Sequence, residues 1–399
     1  MAAEPPGIPD YNGLEILSPM VRGASLPMRL CCLEYGAGLV YSGVTIDHSI
    51  LECVRVQNKE FGCMDYVNRQ EGKVVFSTCE EERQQLIFQV GTKDACLATK
   101  AALHVCGDVR GVDVNMGCTA PFSSTGGTGA ALLEKPHVVA DILKSLRREL
   151  PSWCAVSCKI RMLPTVAQTI DFLRLCEHSG ADAIALHMRT TDDNRDKGHP
   201  ARWDDLGLLC SEVNVPILAN GDLLTRRHID DFWQRCDAVA GGEGGGGSGP
   251  SCPRRRPAAV MVARGALWNP SVFAKAEVPY DEVVRKFIST CARVNNVHFA
   301  TKWTLKEMLG SDSQKPAWLP VFGGLQGAAL RRLKMELDRA QNMAELCRLF
   351  GVDHDASAYP PDAFNLDYGR RLLQSCGMAT DESPVTVDGS SGLTAVVAA

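Results

Sequence analysis

Val112-Asp113-Val114-Asn115-Met116-Gly117-Cys118 is the stretch on which the fold turns. A short apolar run ends in an amide, and a glycine turn then delivers a cysteine. Gly126-Gly127-Thr128-Gly129-Ala130-Ala131-Leu132-Leu133 follows, a glycine loop opening into a helix. In a barrel enzyme this order puts a thiol at the mouth, where the loops after the strands do the chemistry.

Seven similar runs recur on either side: Leu14–Leu17, Gly38–Tyr41, Leu86–Val90, Ala155–Cys158, Ala183–Leu186, Val215–Ala219 and Ala258–Val262. Between them Pro136–Leu150, Thr165–His178 and Arg226–Arg235 carry apolar residues at helical spacing. Eight buried strands alternating with helices predict an α/β fold, a (β/α)8 TIM barrel. Ile46 to Cys79 reads as extra β structure and loop ahead of the third strand. The C-terminal strand ends are Pro19-Met20, Ser42, Gln89, Asn115, Lys159, His187, Asn220 and Ala263-Arg264. A polar residue often marks only where a strand leaves the core. A lysine, a histidine, an arginine and three amides at one end is more than that requires.

The two glycine turns at Asn220-Gly221-Asp222 and Ala263-Arg264-Gly265 follow the seventh and eighth runs, the usual phosphate site of such barrels. Arg264 can add a bidentate contact. A ligand with a phosphate is expected there. Lys159 would project an ammonium into the mouth and needs an anionic or electron-rich partner, because an unpaired buried charge is expensive. The N1–C2=O edge of a reduced flavin is such a partner, and Gln89 can hydrogen-bond its pyrimidine-like edge.

Composition narrows the function classes. A net charge of −5 over 399 residues argues against a protein that coats nucleic acid by charge alone, though it leaves room for a local basic patch. No apolar run approaches the ~20 residues of a membrane span, and Met1 to Tyr11 has no leader pattern, so a cytoplasmic protein is expected. The 17 cysteines are scattered without a CxxC pair, which fits buried reduced thiols better than disulfides or a metal site. The domains expected are a barrel over 12–275 and a helical domain over 279–352. A low-complexity glycine-rich insertion (241–257) interrupts the barrel on its N-terminal face, and a tail at 356–399 is disordered from about 380. From Asp281 to Phe350 there are 11 Lys/Arg against 7 Asp/Glu, a local excess of positive charge in an acidic chain.

Taken together, Ser18-Pro19-Met20-Val21-Arg22, Val112 to Cys118, Cys158 to Arg161, Asn220-Gly221-Asp222, Val262 to Pro270 and Asn295 to Lys302 resemble the tRNA-dihydrouridine synthases. The likeness is to the eukaryotic cytosolic group acting on position 20 of the D-loop, and it runs from about Leu14 to Leu349. It implies an FMN-bearing barrel followed by a helical tRNA-binding domain, with NADPH as reductant. It implies FMN contacts at Pro19, Met20, Val21, Gln89, Lys159, His187, Asn220, Gly221, Asp222, Ala263 and Arg264. It implies Cys118 as the catalytic acid protonating C5 of a flipped uridine while hydride reaches C6. Asn115, Arg189 and Lys302 are the expected substrate contacts.

The chain departs from the family where Thr119 follows the cysteine in place of proline and Thr125 stands where a lysine is common. Gly43 replaces a glutamate and Met188 a glycine, and the double-stranded-RNA-binding domain of animal members is not expected. Two other readings fit the motifs, an FMN barrel reducing a small molecule and a non-catalytic tRNA-binding scaffold.

Overall fold

The structure, a computed structural model, describes residues 7–193, 199–240, 255–310, 316, 319–353 and 367–375. Its strands are β1 (Leu14–Leu17), β2 (Leu39–Tyr41), β3 (Thr45–Ile46), β4 (Cys53–Asn58), β5 (Cys63–Asn68) and β6 (Val74–Cys79). They continue as β7 (Leu86–Gly91), β8 (Gly111–Met116), β9 (Ala155–Arg161), β10 (Ala183–His187), β11 (Ile217–Asn220) and β12 (Ala259–Val262). Eight pair in parallel around a closed ring, β1-β2-β7-β8-β9-β10-β11-β12, with β12 returning to β1. This is the predicted (β/α)8 barrel, and each of the eight apolar runs supplies one strand. The ends differ by up to three residues, because ladder hydrogen bonds extend past the apolar core into residues such as Asn115 and Arg161.

The alternation of a pleated strand sets the interior. Ile16, Leu39, Tyr41, Ile87, Ala185, Leu218 and Met261 share one buried cluster inside the ring. Their neighbours of opposite parity, such as Leu17, Val112, Val114 and Ile160, join the larger core between strands and helices. Polar residues of interior parity must therefore sit above the apolar plug, toward the mouth.

The helices have legible starts. Pro136 opens Pro136–Glu149, and Thr165 and Gln168 close a capping box on Val166–His178, which satisfies amide donors the first turn leaves free. The segment ahead of β7, read from the sequence as extra β structure and loop, forms a three-stranded antiparallel sheet, β4-β5-β6. Arg29 clamps it to the barrel: Nε and Nη2 donate to the Glu82 carboxylate at 2.8 and 2.7 Å, and Nη2 also to the Ser77 carbonyl at 2.7 Å.

Past the barrel lie helices Tyr280–Arg293, His298–Met308, Gly327–Arg339 and Met343–Leu349. The Tyr280 hydroxyl lies 2.8 Å from the Trp268 carbonyl and 2.7 Å from that of Met308, tying the first of these helices to the barrel and to its neighbour. A further helix, Asp367–Ser375, puts Leu373 against Val54, Val56 and Val67 of the antiparallel sheet. Most of the glycine-rich insertion (241–254) and most of the tail (356–366 and 376 onward) lie outside the described residues. At the edge of the insertion, Arg256 pairs with Asp237 at 2.7 Å. No helix among the described residues is long and apolar enough to cross a membrane.

Candidate active site at the mouth of the barrel

Interior parity brings Gln89, Asp113, Asn115, Ser157, Lys159, Arg161, His187 and Asn220 to one end of the ring. On the β7–β9 side they bond to each other. The Ser157 hydroxyl and the Gln89 amide donate to the two Asp113 oxygens at 2.7 and 2.8 Å. The Asn115 amide donates to Gln89 Oε1 at 2.8 Å, and Asn115 Oδ1 accepts the Cys118 N–H at 3.1 Å. Gln89 and Asn115, expected at cofactor and substrate, thus also form a relay that fixes the turn carrying the thiol. Cys118 is half-buried. Gly129, in the left-handed region at φ +60°, is where the glycine loop closes over it: a Cβ there would lie 2.7 Å from the Cys118 carbonyl oxygen.

Electrostatics at this end are dominated by burial among cations. Asp113 has no exposed surface, and burial pushes its carboxyl up to about 6 against the pull of its two donors and Lys159. Burial, reinforced by Arg161, brings the Lys159 ammonium down to about 8, with Asp113 opposing. Lys159 has no hydrogen bond or ion pair of its own among the described residues. His187 is held well below its ordinary range by burial and then by Lys159, Arg161 and Arg189, so it is neutral at pH 7.

The β10–β12 side opens into a cavity of about 450 Å³, within the span typical of ligand pockets. Its walls include Arg161, Arg189, His187, Asn220, Gly221, Asp222, Ala263 and Arg264, with Thr119 beside Cys118 completing the rim. Gly221 at φ +142° and Asp222 at φ +49° turn the chain sharply after β11. Asp222 is held by Arg189 at 2.5 Å and by the Ala201 N–H at 3.0 Å, with Arg264 at 3.5 Å. The second guanidinium nitrogen of Arg264, Nη1, is buried without a hydrogen-bond partner. A buried charged donor in that state costs free energy unless an acceptor completes it, and a phosphate fits the vacant donor. Gly265 lets the turn after β12 pack against the one after β11: a Cβ there would sit 2.7 Å from the Leu224 carbonyl oxygen.

Pro19, Met20 and Val21 form the turn after β1, outside the lining of this cavity. Gly43 lies against them, and a Cβ there would come within 2.9 Å of the Met20 carbonyl oxygen. A glutamate at that position would force the turns apart, so this departure has a packing reason. Met188 fills the core between barrel and helices. Arg189 is buried, with Nε on the His199 carbonyl and Nη2 on Asp222. Lys302 lies on helix His298–Met308, where its ammonium donates to the carbonyls of Asp338 and Ala340 at 2.7 and 2.8 Å.

Sequence reading passed over Asp113 and Arg161. Arg161 donates to the Gly117 carbonyl at 2.7 Å, bracing the Cys118 turn from the opposite side to Asn115. Both were within reach by parity, two residues from Asn115 and from Lys159.

Comparison with known proteins agrees with this geometry. The chain is 31% identical over 367 residues to a tRNA-dihydrouridine(20) synthase [NAD(P)+] of Schizosaccharomyces pombe, covering 89% of this chain and 69% of that one. It is 32% identical over 323 residues to the Saccharomyces cerevisiae protein of the same name, covering 76% and 79%. A mouse tRNA-dihydrouridine(20a/20b) synthase [NAD(P)+]-like protein is 30% identical over 265 residues, covering 66% and 70%. The profile of the Dihydrouridine synthase (Dus) family matches residues 16–248, a span that holds the thiol turn and most of the cavity wall. On that match and on identity that runs through the helices beyond the barrel, the chain belongs to the dihydrouridine synthase family.

Proposed function

We propose that this protein reduces a uridine of tRNA to 5,6-dihydrouridine, with FMN as its bound cofactor and NADPH as reductant. The observation that supports it most is one barrel mouth offering a positioned thiol on one side and a cavity ending in an uncompleted arginine on the other. Arg264, with the turns at Gly221 and Ala263, would hold the phosphate. Lys159 and Gln89 would face the ring, and Pro19, Met20 and Val21 would close over it. When bound, reduced flavin supplies the hydride that adds to C6 of the uracil.

The chain's own residues do the rest. Cys118 donates its proton to C5, so hydride and proton together saturate the C5–C6 bond. Asn115 and Arg161 hold the turn on which that thiol rides. His187, kept neutral, adds no charge against the ring. The uracil must leave its stack to enter the mouth. Helices 280–349, with their excess of Lys and Arg, would dock the rest of the D-loop side of tRNA.

The test is anaerobic spectroscopy of the full chain. NADPH should bleach the flavin bands and unmodified tRNA should restore them, with dihydrouridine appearing in the product. Cys118→Ala should bleach equally but recover at least ~100-fold more slowly. Reduced flavin untouched by tRNA yet oxidised by a small enone would replace this reading with a small-molecule reductase.

A further inference from the structure

Arg189 and Lys302, the cations expected at the substrate, are engaged inside the protein, Arg189 through Nε and Nη2 and Lys302 through its ammonium. Two lysines outside that set are placed differently. Lys93 follows β7 and Lys135 precedes helix Pro136–Glu149, both on the mouth side of the ring. Both are exposed, and neither ammonium has a hydrogen bond or ion pair among the described residues. A Cβ on Gly127 would lie 4.0 Å from each Nζ, so two like charges converge on one point of the glycine loop.

Their backbones are held. Thr92 bonds Asp47 at 2.7 Å and Asp94 caps the next helix through the Leu97 N–H at 2.8 Å, on either side of Lys93. The Lys135 N–H donates to the Leu132 carbonyl at 2.9 Å. The loop they flank folds onto the thiol turn, since the Ala130 N–H donates to the Cys118 carbonyl at 2.9 Å. Gly127 is two residues from Gly129, whose Cβ would touch Cys118, a reach of at most ~7 Å. From Cys118 to Gly129 the loop contains no charged residue. On the glycine-loop side of the mouth, the cations placed against the loop at Gly127 are Lys93 and Lys135.

We infer that Lys93 and Lys135 form a phosphate clamp on the rim, gripping the RNA backbone beside the uridine that enters at Cys118. The inference rests on the tRNA reading above. Its chemistry is that of two solvated ammonium groups, which neutralise phosphates and release counterions without reading bases.

The test uses the full chain, unmodified tRNA and a series of KCl concentrations. For the double variant Lys93→Gln/Lys135→Gln, KM for tRNA should rise about tenfold near 0.15 M salt, and the plot of log Kd against log salt should flatten by about 1.5 to 2. Lys93→Arg/Lys135→Arg should restore both, and thermal melting checks that each variant is folded. Wild-type KM and salt slope in the folded glutamine variant would overturn the clamp while leaving the synthase reading intact. A wild-type protein that neither binds nor reduces tRNA would instead remove the reading on which the clamp depends.

Discussion

The two halves of the barrel mouth are built on opposite plans. On the β7–β9 half, Ser157, Asp113, Gln89, Asn115 and the Cys118 amide form an unbroken chain of hydrogen bonds. On the β10–β12 half the cavity is open and Arg264 Nη1 has no acceptor. The first half organises itself without a ligand; the second is completed by one. The physical reason is the cost of an unmade hydrogen bond in a buried place. A group can meet that cost by bonding its neighbour, which makes the half rigid, or leave it for a ligand to relieve, which makes the half a binding site.

Substitutions in the two halves should therefore separate stability from binding. The largest effect is expected from Asp113→Ala, which strands the Gln89 amide in the dry interior and leaves the Ser157 hydroxyl only a 3.4 Å contact with the Tyr41 hydroxyl. Urea unfolding should lose about 3 kcal/mol, with or without flavin. A loss seen only in the flavin-loaded protein would show that the network is assembled by the ligand and erase the contrast. Arg264→Ala should do the reverse. Flavin affinity should weaken by about 2 kcal/mol, some 30-fold by fluorescence titration, with little change in the stability of the ligand-free protein.

The smallest effect concerns Lys159, a cation of the β7–β9 half whose ammonium, among the described residues, bonds no neighbour. Its proton leaves near pH 8 in the folded, ligand-free state, well before it would in an unfolded chain. Between those two values the unfolded chain binds more protons, so ligand-free stability should rise as pH increases above 8. A flavin that accepts a hydrogen bond from the ammonium favours the protonated form. Its affinity should fall over the same range, several-fold from pH 8 to 9. Stability and affinity moving in the same direction would assign the titration to another group.

The barrel was legible because its signal is local. Each strand is a short apolar run, and Pro136 and Thr165 mark helix starts by chemistry confined to one turn. Parity also carried Gln89, Lys159, His187 and Asn220 to one end. It extended to Asp113 and Arg161: a carboxylate inside an apolar run reads as an interruption until its partners are known, and Arg161 shows its role only through the Gly117 carbonyl, 44 residues away. Arg189 and Lys302 show the converse. Their charge is plain in the sequence, but whether a cation faces solvent or an acceptor inside the protein depends on residues 10 to 38 positions away.

By itself, then, the sequence determined the ring of strands, the end at which its polar residues gather, and the turn that delivers Cys118. Those features follow from two-residue alternation and from glycine turns, which act over a few residues. The tertiary structure alone decided which polar groups are spent on one another and which are left over. Asn115 bonded to Gln89, Arg264 beside Asp222, and Lys93 and Lys135 both against Gly127 are meetings between distant segments. Hydrogen bonds and charges have their effect at a few ångströms in space, whatever the separation along the chain.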